Sequence, residues 1–139
     1  MADLLLDTGP FVALLDRSER SHLRCLEFFQ GFRGRLFTTE AVLTEVVYLL
    51  GPSFQAQQPA LELVLQGGAE LLPMSQALLE RCLGLMAKYA DIPMDYADAT
   101  LVAVAEERQI RDIFTLDLRG FSTYRLSPRK PFRIQPPAF

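Results

Sequence analysis

The chain is 139 residues long, the size of one ordinary domain, so residues 1–139 are expected to form a single domain with one core and one main site. Hydrophobic residues make up 50% and charged residues 22%, a balance that excludes a disordered chain. The net charge of −3 and pI near 5.1 do not advertise a nucleic-acid binder. The longest near-unbroken apolar run, Val46 to Leu50, falls far short of the ~18 residues of a spanning helix. The start, Met1-Ala2-Asp3, lacks the basic region and apolar stretch of a secretory signal, so a soluble cytoplasmic protein is expected.

In chain order, Leu4-Leu5-Leu6 is a short apolar run closing on Asp7, followed by Thr8-Gly9-Pro10; it predicts a buried strand, a turn and a helix start. Residues 11–16 and 21–30 carry helical spacing, with Leu23, Leu26 and Phe29 on one stripe. Leu36-Phe37 reads as a second strand, and Thr39 as the cap of a helix from Glu40 to Leu50 that Gly51-Pro52 stops. A helix over 53–66 follows, whose Phe54, Leu61 and Leu65 are expected in the core rather than at a subunit interface. A strand over 69–72, a helix capped by Ser75 and running to about 90, a helix over 95–108 and a strand over 113–116 complete the pattern. The Pro-rich tail, 118–139, is expected to add at most an edge strand at 132–134. Short apolar strands alternating with helices predict an α/β layer fold with a mainly parallel sheet of four to five strands flanked by helices.

The inventory of reactive groups is narrow. Cys25 and Cys82 lie far apart with no Cys/His clustering, which excludes a structural zinc site, and a disulfide is not expected in the cytoplasm. The single histidine, His22, is expected at the surface. There is no GxSxG elbow and no glycine-rich phosphate loop, so chemistry must rest on carboxylates.

Most acids sit on polar helix faces, but four do not. Asp7 ends the first strand and Asp117 the fourth, and in a parallel sheet ligands bind at the carboxyl ends of strands. Glu45 interrupts an apolar helix whose Val42 and Leu49 are expected on its own face, with no Lys or Arg at helical spacing to pair with it. Asp98 opens the stripe formed by Leu101, Val102 and Ala105, one turn after Asp95, which suits a helix cap or a supporting role behind Asp98. Carboxylates gathered in a cleft raise one another's pKa unless a cation neutralises them. An all-oxygen set without His or Cys suits Mg2+ or Mn2+, which can activate water against a phosphodiester.

The strand into Asp7-Thr8, Glu45 after Thr39 and Thr44, Ala97-Asp98-Ala99 opening an Ala-rich helix, and Thr115-Leu116-Asp117 followed by Phe121 together resemble the PIN domain family. Within it the chain is similar to VapC-type ribonuclease toxins or a close stand-alone PIN nuclease, over essentially its whole length. The resemblance implies a Rossmann-like three-layer fold and an acidic quartet of Asp7, Glu45, Asp98 and Asp117, with Asp7 and Asp98 the firmest metal ligands. It places Thr8, Thr115 and Asp95 behind that quartet. The activity implied is RNA hydrolysis by metal-activated water, leaving 5′-phosphate and 3′-hydroxyl ends, in a homodimer blocked by a cognate antitoxin protein.

Charge distribution adds a candidate for substrate contact. After Asp117 there are five basic residues and no acids, while the preceding part carries nine basic against 17 acidic residues, a balance of −8. Arg17 and Arg119 are nearest in sequence to the expected active-site loops and are the candidate contacts to RNA phosphates. A phosphoaspartyl site fits poorly, because position 9 is glycine where a dehalogenase-type phosphatase needs a second acid. The same residues are also compatible with a non-catalytic PIN-fold module that binds RNA or protein, and with a stand-alone RNA-processing nuclease.

Overall fold

A computed structural model describes residues 2–137. Five strands form a parallel sheet: β1 (Ala2–Leu6), β2 (Gly34–Thr38), β3 (Glu70–Leu71), β4 (Asp112–Phe114) and β7 (Arg133–Gln135), in the order β3-β2-β1-β4-β7. Helices α1 (Thr8–Leu15), α2 (His22–Gly31), α3 (Glu40–Leu50), α4 (Phe54–Leu65), α5 (Gln76–Lys88) and α6 (Tyr96–Arg108) flank the sheet. The chain builds outward from β1 through β2 to β3, then crosses to the other side of β1 to lay down β4. The switch point therefore lies between β1 and β4, where their carboxyl ends open a crevice.

The central strand explains itself. Leu4, Leu5 and Leu6 are fully buried, covered on both faces as a parallel strand requires. Its ladder runs on past the strand, since the Asp7 amide donates to the Phe114 carbonyl at 3.0 Å. Around it pack Phe11, Phe37, Val42, Leu85, Leu101, Ile113, Phe114 and Phe121. Helix α6 is buried almost all round, from Ala99 to Ala105, rather than along the single stripe expected. Its alanines let it run close to its neighbours α3 and α5.

Three expectations are corrected. Phe54, Leu61 and Leu65 are not core: they are 67%, 44% and 83% exposed, and α4 turns Ala60 inward instead. Tyr48 and Leu49 of α3 are exposed as well, so two adjacent helices carry apolar side chains on the surface. Leu23 also points outward, and α2 buries Cys25, with Leu26, Phe28 and Phe29 packed against the core. His22 is half-buried rather than superficial, its Nδ1 lying 2.6 Å from the Ala13 carbonyl and tying α2 to α1.

The tail is more structured than its composition suggests. A short helix α7 (Leu118–Thr123) follows Asp117, then a hairpin of β5 (Arg125–Leu126) and β6 (Lys130–Pro131) precedes β7. The expected edge strand is β7, displaced by one residue and parallel to β4. No described helix is long and apolar enough to cross a membrane.

Candidate active site

Asp7 is the anchor of the crevice. It leaves β1 in extended geometry and caps α1, its Oδ1 accepting from the Thr8 amide at 2.8 Å. Its Oδ2 accepts from the Thr115 hydroxyl at 2.7 Å. Thr115, also buried, in turn accepts from the Asp117 amide at 2.9 Å. The ends of β1 and β4, more than a hundred residues apart in sequence, are thus joined by one chain of hydrogen bonds, from the Asp117 amide through Thr115 to Asp7. Burial lifts the Asp7 carboxyl to a pKa of about 6, against the pull of its two hydrogen bonds and with help from the charges of Asp117 and Asp95.

Asp98 faces the same crevice from the first turn of α6. It is half-buried, and its Oδ2 accepts from the Tyr124 hydroxyl at 3.1 Å. Burial, then the charges of Asp7 and Asp95, raise its pKa to about 7; the Tyr124 hydrogen bond opposes this and the charge of Asp117 adds to it. Asp95 is the N-cap of α6, its Oδ1 accepting from the Asp98 amide at 2.8 Å, and its side chain is exposed. It caps the helix, and its charge bears on Asp7 and Asp98. Asp117, exposed at the rim, caps α7 through the Gly120 amide at 3.0 Å.

Glu45 requires a correction. It is half-exposed rather than turned into the core, and Leu49, expected on its face, is exposed too. It lines a shallow pocket with Thr44, Tyr48, Asp95 and Tyr96. It shares that pocket with Asp95, and its setting alone does not demand a cation. Arg17 and Arg119 are both exposed. The eight residues of α1 carry the chain about 12 Å away from Asp7 before Arg17 is reached, at 1.5 Å per residue. Arg119 lies in the first turn of α7, two residues from Asp117.

Sequence reasoning named Thr8, Thr115 and Asp95 behind the acids but missed two further features of the site. Tyr124 is one, hidden in a tail expected to be irregular. The other is a run of buried hydroxyls, in which Thr100 donates to the Ala97 carbonyl at 2.7 Å and lies 2.8 Å from the Thr39 hydroxyl. Because the single Thr100 proton goes to Ala97, Thr39 must be the donor between them. Thr39 also accepts from the Val42 amide, so the start of α3, which carries Glu45, is tied to the first turn of α6, which carries Asp98.

The donors fit a hard divalent cation. All are carboxylate or hydroxyl oxygens, and two of the carboxyls hold pKa values raised first by burial and then by neighbouring negative charge, which a bound cation would offset. The Thr8 hydroxyl beside Asp7 is, among the described residues, the one buried side-chain polar atom without a hydrogen-bond partner. The acids are within electrostatic reach of one another, yet among the described residues no three Asp, Glu, His or Cys side chains already stand together as a metal cage.

With this geometry in view, the sequence matches the PIN domain family over residues 4–125, and the chain belongs to that family. Its fold is shared with VapC20 of Mycobacterium tuberculosis, described as a sarcin-ricin loop cleaving toxin, at a TM-score of 0.77 and 20% identity over 82% of this chain and 89% of the other. The DNA-bound VapBC complex of Salmonella typhimurium aligns at 0.65 and 22% identity over 96% and 98%. A toxin–antitoxin complex from Klebsiella pneumoniae aligns at 0.63 and 19% identity over 86% and 91%. Comparison with curated proteins finds no match.

Proposed function

We propose that the chain, as one PIN domain over residues 1–139, is a cytoplasmic, Mg2+- or Mn2+-dependent endoribonuclease of the VapC type, the toxin of a toxin–antitoxin pair. The observation that carries this reading is the convergence of Asp7, bonded across the switch point to Thr115, with Asp98, held by Tyr124, and Asp117, the first two with carboxyls raised above the ordinary aspartate value. Buried acids at a strand end and a helix start are costly to folding, and such groups concentrate at functional sites. The fold shared with ribonuclease toxins and toxin–antitoxin complexes supports both the substrate class and an antitoxin partner.

In this reading Asp7 and Asp98 hold the cation, with Asp117 completing its surroundings directly or through water. A bound divalent ion would supply Lewis-acid stabilisation of charge on the scissile phosphate and lower the pKa of water. Thr115 fixes Asp7 by donating to Oδ2, which leaves Oδ1 shared between the Thr8 amide and a ligand. The Thr8 hydroxyl, buried and unpartnered beside Asp7, is the remaining unused polar group at this end of β1. Glu45 and Asp95, which line one pocket, would orient the attacking water or accept its proton. Arg119, two residues from Asp117, is the arginine placed to contact an RNA phosphate, and it offsets the repulsion of RNA by the acids.

A homodimer belongs to the same reading. The outward stripe of Phe54, Leu61 and Leu65 on α4, next to the exposed Tyr48 and Leu49 of α3, is uncharged and suits a second copy of itself better than a charged partner.

The test is cleavage of a mixed RNA pool by the purified, antitoxin-free protein with Mg2+ or Mn2+, compared with EDTA and with Asp7→Asn and Asp98→Asn. Cleavage that depends on the ion and is lost in both variants is expected. Cleavage unchanged in the variants would displace the site, and no cleavage of any RNA would point to a binding module.

A further inference from the structure

The Tyr124 hydroxyl stands in a position that packing alone does not require. The side chain is 1% exposed, at the C-terminal end of α7, with its ring edge-on to those of Tyr89 and Phe121, each 5.1 Å away between centroids. A phenylalanine would fill that aromatic stack equally well. The hydroxyl reaches out of the stack to Asp98 Oδ2 at 3.1 Å. Facing a carboxylate oxygen, the phenol O–H acts as the donor.

Helix α7 links two of the acids. Asp117 caps its first turn, and Tyr124 leaves its last turn to reach Asp98. Gly120 makes the arrangement possible: a Cβ there would meet Asp117 Oδ2 at 2.3 Å and the Tyr124 ring at 3.1 Å. One short helix, built around one glycine, thus sets the Asp117 carboxylate directly and the Asp98 carboxylate through a phenol.

We propose that Tyr124 is a positioning residue, whose hydroxyl fixes the Asp98 carboxylate in the orientation that presents its other oxygen, Oδ1, to a divalent cation in the crevice. The inference rests on the reading of Asp7 and Asp98 as cation ligands. Partners that orient a ligating group behave in this way in metal sites generally, and their loss weakens metal binding without dismantling the fold.

The experiment compares the full-length protein with Tyr124→Phe and Tyr89→Phe by calorimetric titration with Mn2+ alone, by kcat and KM on RNA, and by thermal melting without metal. Tyr89→Phe is the control, since its hydroxyl belongs to the same aromatic stack but accepts from the Arg125 amide and does not touch Asp98. Tyr124→Phe should weaken Mn2+ binding by ~10-fold or more and lower kcat with KM nearly unchanged. Tyr89→Phe should leave Mn2+ affinity within about twofold, well short of the loss typical of a ligand-orienting partner. Equal Mn2+ affinity and kcat in Tyr124→Phe and the wild type would overturn the positioning role while leaving the nuclease reading standing. Equal weakening by both substitutions would reduce Tyr124 to packing and overturn it as well. A wild-type protein that binds no Mn2+ would overturn both the role and the reading beneath it.

Discussion

At the scale of single residues, the site is held together by donors that serve carboxylates. Asp7 takes two, from Thr8 and Thr115, and still sits near a pKa of 6 because burial outweighs them. Asp98 takes one from Tyr124 and sits near 7. Both values lie above the 3.8 of a free aspartate, so the folded protein holds protons that the unfolded chain has released. Linkage then makes these groups cost stability as pH rises from about 4 through 7, the reverse of an ion-paired aspartate. Asp7→Asn removes a buried charge and should stabilise the metal-free protein near pH 8 by ~1–2 kcal/mol, after allowance for a weakened Thr115 hydrogen bond. The gain should shrink as the pH is lowered toward 4, where Asp7 is neutral in the wild type too. Thermal melts at pH 8 and pH 5 check this; a destabilised variant at pH 8 would contradict it. Asp7, Asp98 and Asp117 were legible from the sequence because each stands out from its neighbours, at a strand end or a helix start. Tyr124 and Thr100 were not, since their partners are 26 and 61 residues away and no local pattern marks them.

At the scale of elements, the parts that read well from sequence carry their own boundaries. Helix α3 occupies Glu40–Leu50 as expected, because Thr39 caps it through the Val42 amide and Gly51, at a φ of 109°, ends it in a conformation that suits glycine. Helix α7 was invisible because six residues cannot sustain a helix by propensity; it exists through the Asp117 cap and the burial of Phe121 and Tyr124. The apolar stripe of α4 was visible, but periodicity cannot say whether such a stripe faces the interior or a partner. The seam between α3 and α6 is set by the buried Thr39 and Thr100 hydroxyls. Thr100→Val keeps the shape and strands the Thr39 hydroxyl, so a loss of ~1–3 kcal/mol and a fall of several degrees in Tm are expected. An unchanged melting temperature would mean that the hydroxyl chain adds nothing to that seam.

At the scale of the whole molecule, the doubly wound order of the sheet accounts for how carboxylates far apart in the chain are gathered at one crevice. The switch between β1 and β4 brings Asp7 and Asp117 together, α6 adds Asp98 and Asp95, and Glu45 lines a pocket with Asp95. Five basic residues and no acids follow Asp117, so the segment that starts at the rim of the crevice is net positive. On the outer surface, the exposed apolar side chains of α3 and α4 are the face at which the proposed homodimer is tested. Leu65→Glu should shift the protein from dimer to monomer in light scattering while the metal-free melting temperature stays within a few degrees. A wild-type protein that is monomeric at tens of micromolar would contradict the dimer.

The most direct test of the cation site is calorimetric titration of Mn2+ into the protein at pH 6.5 in buffers of different ionisation enthalpy. With Asp7 near 6 and Asp98 near 7, the metal-free pair holds about one proton at that pH, which a cation must expel. Binding is therefore expected to release about one proton per chain at pH 6.5 and almost none at pH 8.5, and to be lost in Asp7→Asn and Asp98→Asn. Binding with no proton release at pH 6.5, or affinity unchanged by both substitutions, would show that these carboxyls are not where the cation sits.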